Sequence, residues 1–174
     1  QYFVKPGTDN EAFGQWKDKR LNFYLDNLDI NKDKLRFHEH GSSELAHYAK
    51  EAWDIEYKFP FGWSEIEGIH NRTDYDLSRH EEFSGKNLSY FDQPNNDRYL
   101  PYIIETSAGL NRMLLTVLAD AYWEDDKNNR TVMRISPRLA PVKAVICPLL
   151  KKDGLPEKAR EIVEILKPHF KVLY

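Results

Sequence analysis

Beyond the Pro6 and Gly7 turn, Asn10 is placed to cap a helix whose apolar positions Phe13, Trp16, Leu21, Tyr24, Leu25 and Leu28 recur at helical spacing. Ser42 and Ser43, followed by Leu45, Ala46, Tyr48, Ala49, Ala52 and Trp53, predict a second helix with a charged back. From Trp53 the period shortens to two. Ile55, Tyr57 and Phe59 alternate with Asp54, Glu56 and Lys58, which is the pattern of a half-buried strand. Pro60, Phe61 and Gly62 turn the chain, residues 63–70 alternate again, and an antiparallel hairpin follows. Residues 73–84 read as a helix capped by Thr73 or Asp74 and stopped by Gly85.

A polar loop over 92–97 leads to a strand over 99–105, and Ser107 then opens a long helix to about Tyr122. Leu110, Leu114, Val117, Leu118, Ala121 and Tyr122 form its apolar stripe, with Arg112 on the opposite side and not needed for the core. Residues 124–130 read as a polar linker. The run 142–147 suits a strand buried on both faces, Pro156 suits the first position of a helix carrying Ala159, Ile162, Val163 and Leu166, and 171–174 begins another strand. This is a β-α-β unit, expected to be parallel and right-handed. The pattern therefore predicts an α+β chain in two parts, 1–136 and 137–174. Within the first, 1–52 is mainly helical, and the sheet and its long helix occupy 53–123.

The composition narrows the function classes. With 174 residues, 41% hydrophobic and 30% charged, the chain can bury one good-sized core. A net charge of −3 gives no bulk attraction to nucleic acid, and the short basic clusters Lys17, Lys19, Arg20 and Lys151, Lys152 read as solvated charge. No apolar run is long enough to span a membrane and no signal peptide is visible, so cytoplasm is the default compartment. The single cysteine, Cys147, reads as a small buried hydrophobe. His38, His40 and His47 match no zinc spacing and read as surface histidines. No P-loop, dinucleotide fingerprint or nucleophile elbow occurs.

Two acids lie two apart on the second strand, which places Glu65 and Glu67 on one face. Such a pair could serve a metal ion, an ammonium or acid-base chemistry, as in a metal-dependent hydrolase; spacing alone favours a solvated edge-strand face. Glu105 ends an apolar strand just before the small residues Ser107, Ala108 and Gly109, a backbone suited to an anion or a closely approaching ligand. Arg112 would add a cation there. A plain capping role for Ser107 and a surface ion pair for Arg112 remain equally open on residue chemistry.

Three strings add a resemblance. Residues 59–77 (FPFGWSEIEGIHNRTDYDL), 102–112 (YIIETSAGLNR) and 139–144 (LAPVKA) closely resemble glycyl-tRNA synthetases of the homodimeric class II type, in order along essentially the whole chain. The resemblance implies a catalytic domain built on an antiparallel sheet flanked by helices, then the start of an α/β anticodon-binding domain. It implies ATP contacts from Glu65, Ile66, Gly109, Leu110, Asn111 and Arg112, with Glu65 and Arg112 catalytic and Glu65 near the Mg²⁺ carried by ATP. Glycine would be read by Glu105, Thr106, Ser107, Ala108, Gly109 and Arg72; the family commonly has proline where this chain has Thr106. The implied reaction activates glycine with ATP and transfers it to tRNA(Gly), in a homodimer and without a membrane. The first two class II motifs would precede Gln1 and the rest of the anticodon domain would follow Tyr174, so this piece is expected to be inactive alone. The rival implied by the same architecture is a non-catalytic nucleic-acid-binding subunit. The spatial expectation is that Glu65, Glu105 and Arg112 converge on a single small cavity.

Overall fold

The computed structural model describes residues 1–41, 47 and 49–174, and divides into two compact units, Gln1–Val132 and Met133–Tyr174. The chain is α+β. In the first unit, β1 (Tyr2–Val4), β2 (Leu35–Glu39), β3 (Glu51–Phe59), β4 (Gly62–Thr73) and β7 (Tyr102–Ala108) form one sheet. Its order is β1-β7-β4-β3-β2 and every neighbouring pair is antiparallel. The β3–β4 hairpin turns through Pro60 and Phe61, where Phe59 pairs with Gly62 and Gly62 takes a φ of +117° that favours glycine.

Strand pairing sorts side chains onto two faces. On one, Ile55 and Tyr57 of β3, Ile69 and Asn71 of β4 and Ile104 of β7 are all essentially buried. Helix α1 (Asp9–Asn22), continued by a π-helical turn over Phe23–Asn27, packs over β4 and β7. It buries Phe13, and the π-helical turn buries Tyr24. Each such aliphatic or aromatic side chain contributes about 1.5–3 kcal/mol by leaving water. The other face carries the candidate site.

Several boundaries differ from the sequence reading for identifiable reasons. Helix α1 starts at Asp9 with Thr8 in the N-cap position, not at Asn10; Asp9 is buried and accepts hydrogen bonds from Lys50 and Asn71. Residues 1–52 carry strand as well as helix: β1 and β2 pair there with β7 and β3. The predicted second helix falls partly on 42–46 and 48, outside the described residues, while Ala52 and Trp53 belong to β3. Helix α2 (Tyr75–Ser84) ends as expected at Gly85, whose φ of +66° is left-handed. The polar loop joins a short hairpin of β5 (Tyr90–Asp92) and β6 (Asp97–Tyr99). Strand β7 runs through Ser107 and Ala108 because Gly68 and Glu67 of β4 pair with them, so α3 (Leu110–Ala121) begins later and Ser107 caps nothing. The linker over 124–130 is a two-stranded sheet of β8 (Tyr122–Asp125) and β9 (Arg130–Met133).

Helix α3 is rotated from the predicted orientation, although Ala121 of the predicted stripe is buried as expected. Leu110, Leu114, Leu118 and Tyr122 are exposed in this chain, and the side carrying Arg112, Thr116 and Asp120 meets the sheet. Thr116 is fully buried, and Asp120 accepts from the Tyr57 hydroxyl at 3.0 Å. Specific hydrogen bonds, invisible to periodicity, set that face. In the second unit, β10 (Ala144–Val145) pairs in parallel with β11 (Val172–Leu173) across helix α4 (Leu155–Leu166). With β11 as its single partner among the described residues, β10 is short, Val145 is exposed and Cys147 is exposed instead of buried. No helix among the described residues is long and apolar enough to cross a membrane.

Candidate active site

The faces of β4 are set by a bulge. Glu67 pairs with Ile55 of β3, yet Glu65 pairs with the very next residue, Glu56, so one residue, Ile66, is extra. The bulge breaks the two-residue period and puts Glu65 and Glu67 on opposite faces, which corrects the expectation that they share one. Glu67 is buried under α1, where Arg20 holds it with two bonds of 2.5 and 3.0 Å from its Nε and Nη2. Arg20 is thus no solvated charge, nor is Lys17, whose ammonium lies 3.0 Å from the Trp53 ring centre. The paired-carboxylate hydrolase reading loses its geometry. Glu65 is half exposed on the other face.

Arg112, in the first turn of α3, reaches that exposed acid. Its guanidinium donates to the Glu65 carbonyl oxygen at 2.7 Å and lies 3.8 Å from the carboxylate. A cation and an acid stand together, both about half exposed, beside the small residue Gly109 in the N-cap position.

Further along the same face a second cluster forms. Ser107 pairs with Gly68, and Glu105 pairs with His70. The Glu105 carboxylate lies 3.3 Å from Arg72 and 3.8 Å from the His70 Nδ1, and Gln1 approaches it at 3.5 Å. Arg72 is itself clamped on Asp76 of α2 by bonds of 2.6 and 2.9 Å. Bonding to Arg72 holds the Asp76 carboxyl below the usual carboxylate range despite partial burial. Burial pushes His70 below its ordinary value, against the upward pull of Glu105 and Asp54, so the neutral imidazole is favoured.

The sequence-derived candidates therefore divide. Glu65, Glu105, Ser107 and Arg72 share one side of the sheet, and the Arg112 guanidinium reaches Glu65 from α3. Thr106 pairs with Ile69, and Ala108 with Glu67, on the face under α1. Ile66 is buried, whereas Leu110 and Asn111 are exposed on α3. Glu65 and the Glu105 partner His70 lie five residues apart along β4, about 15 Å at the rise of an extended strand. The acids and Arg112 thus do not close on one small cavity; they mark two ends of a track with Ser107 and Gly68 between them. A ligand with a cationic end and a polyanionic end would match Glu105 at one end and Arg112 at the other.

Among the described residues, no group of three or more His, Cys, Asp or Glu side chains could hold a metal ion by itself. Glu65 is a half-exposed carboxylate without two further acids or histidines grouped around it among the described residues, which fits a magnesium ion delivered with phosphates better than a protein-made cage. Of the histidines read as surface residues, His40 is half-buried and lies 2.7 Å from Asp54 through Nε2. His70, Asp54 and His40 were missed as neighbours of the site. Gly68, isolated within an alternating strand pattern, was the available signal, because such a glycine marks close approach.

The chain resembles known proteins throughout. It is 54% identical over 182 residues to a protein of Treponema denticola named glycine–tRNA ligase, aligning over 100% of this chain and 40% of the relative. Proteins of the same name match at 49% in Chlorobaculum tepidum and 51% in Thermobifida fusca, across 100% and 99% of the chain. The chain spans about 40% of the length of these curated relatives. No protein-family model matches it.

Proposed function

We propose, from the premise that this chain belongs to the glycyl-tRNA synthetase family over the segment it spans, that it supplies part of the active site of a glycine–tRNA ligase. The full protein would join the glycine carboxylate to the α-phosphorus of ATP, with pyrophosphate leaving, and then pass the glycyl group to the terminal ribose of tRNA(Gly). Residues 1–136 would belong to a class II catalytic domain and 137–174 to the start of an anticodon-binding domain, in a homodimer.

One observation supports this reading most: Arg112 reaches across from α3 to Glu65, on the sheet face that also carries Glu105 and Ser107. The Glu105 carboxylate, kept in place by Arg72, would accept the substrate ammonium, and Ser107 would lie beside it. Arg112 would face the phosphate charge that grows during attack, with Gly109, Leu110 and Asn111 forming the approach to α3. Glu65, next to the buried Ile66, would face a magnesium ion carried by ATP. That ion, when bound, neutralises phosphate charge and stabilises the leaving pyrophosphate. The steps need no protein nucleophile.

Glycine-dependent exchange of labelled pyrophosphate into ATP by the full-length protein tests the reading. Exchange is expected with the full-length protein and none with the 174-residue segment. Arg112→Ala in the full-length protein should lower the rate by roughly 10²–10³. A full-length protein that binds tRNA without any glycine-dependent exchange would favour the non-catalytic nucleic-acid-binding alternative.

A further inference from the structure

The cross-strand register aligns Asp54 of β3, Gly68 of β4 and Ser107 of β7 in a row on the site face. The next row carries Ala52, His70 and Glu105. Because Gly68 has no side chain, the first row would contain a pit directly beside Ser107 and one step from Glu105. The pit is filled. A Cβ built on Gly68 would stand 2.7 Å from the His70 Cε1, closer than real side chains pack, and in contact with its Nε2 at 3.5 Å. The imidazole therefore leans along β4 over the glycine, as strand side chains do. Its flanks are held: Glu105 lies 3.8 Å from Nδ1, and Asp54, fixed by His40 at 2.7 Å, lies on the other side of the glycine.

From this packing we infer that His70, seated on Gly68, is a specificity-determining residue of the amino-acid subsite, filling the volume that the side chain of any substrate larger than glycine would need. The inference rests on the reading of Glu105 and Ser107 as the glycine seat and extends it to the rejection of competitors. A pocket discriminates weakly against a smaller substrate but strongly against a larger one when its walls cannot yield. Here the wall is a ring whose floor is backbone, leaving it no room to sink. Gly68 belongs to the same device, since any side chain there would displace the imidazole toward the substrate.

The test measures kcat/KM for glycine and for alanine in pyrophosphate exchange, with full-length wild type, His70→Ala, His70→Phe and Gly68→Ala. His70→Ala should raise the alanine-to-glycine ratio by roughly 10- to 200-fold, the range one methylene's worth of pocket space commands. His70→Phe, which refills the volume, should hold the ratio near wild type, and Gly68→Ala should raise KM for glycine. A ratio unchanged in His70→Ala overturns the inference. If His70→Ala slows chemistry with both amino acids, the relative Kd of glycyl- and alanyl-sulfamoyl-adenosine, measured by calorimetry on the same variant, decides: a ratio shifted toward the alanyl compound supports the inference and an unshifted one overturns it. A wild-type protein inactive with glycine would instead sink the underlying reading.

Discussion

Glu67 sits one residue from Gly68 on the strand that presents the site, yet it is buried on the opposite face with the Arg20 guanidinium against it. The Tyr24 hydroxyl is buried next to this pair, and burial together with the Glu67 carboxylate raises its pKa above the usual phenol range. Removing one partner would leave the other charge desolvated and uncompensated. Arg20→Ala is therefore expected to destabilise the protein by about 3–5 kcal/mol, seen as a lower denaturant midpoint. Adding Glu67→Gln to Arg20→Ala should recover part of that loss, since the lone buried charge is gone; a strictly additive double variant would show that the pair is not coupled. None of this was legible in the sequence. Arg20 lies 47 residues from its partner inside a basic cluster, and composition cannot say which of several cations is buried.

At the scale of elements, alternation and turn chemistry located what depends on local sequence. The β3–β4 hairpin, the Gly85 stop and the parallel strands around α4 are written in nearby residues. What failed depended on partners distant in the chain. The bulge at Ile66 is imposed by β3 and inverts the relation of Glu65 to Glu67; the extension of β7 through Ala108 is imposed by β4; and α3 turns its polar side to the sheet because Arg112 and Asp120 find bonds there. The site was likewise half legible: the strings around Glu65, Glu105 and Arg112 pointed to residues that share a face, while the histidines and Asp54 between them carried no local pattern. The local signals remain testable by themselves. Gly85→Ala places a Cβ in the left-handed region at the end of α2 and should cost about 1 kcal/mol of stability in chemical denaturation. Asp76, which clamps Arg72, is in the first turn of the same helix, so this substitution at its far end should leave glycine KM unchanged.

For the molecule as a whole, three groups lowered by folding, His70, Asp9 and Asp76, act in one direction with pH. His70 is depressed from 6.5 by burial. For Asp9, burial pushes the pKa up, but bonds from Lys50 and Asn71 outweigh it and the net is below 3.8, while Asp76 is lowered first by its bond to Arg72. Each binds protons more weakly folded than unfolded, so the unfolded state takes up more protons on acidification and stability falls as pH falls. The His70 contribution is complete above about 6.5 and is lost as pH drops through its depressed folded value. The contributions of Asp9 and Asp76 persist until the pH is below about 4. All three lie in Gln1–Val132, as do the four tryptophans, Trp16, Trp53, Trp63 and Trp123, so tryptophan fluorescence follows that unit without a signal from Met133–Tyr174. Denaturation followed this way between pH 8 and pH 3 should show a midpoint that declines in two stages. The stage beginning near pH 6.5 should be reduced in His70→Phe, which keeps the ring volume without the titrating nitrogen, and the stage near pH 4 should be reduced in Asp76→Asn. A first stage of undiminished size in His70→Phe would show that another group carries it.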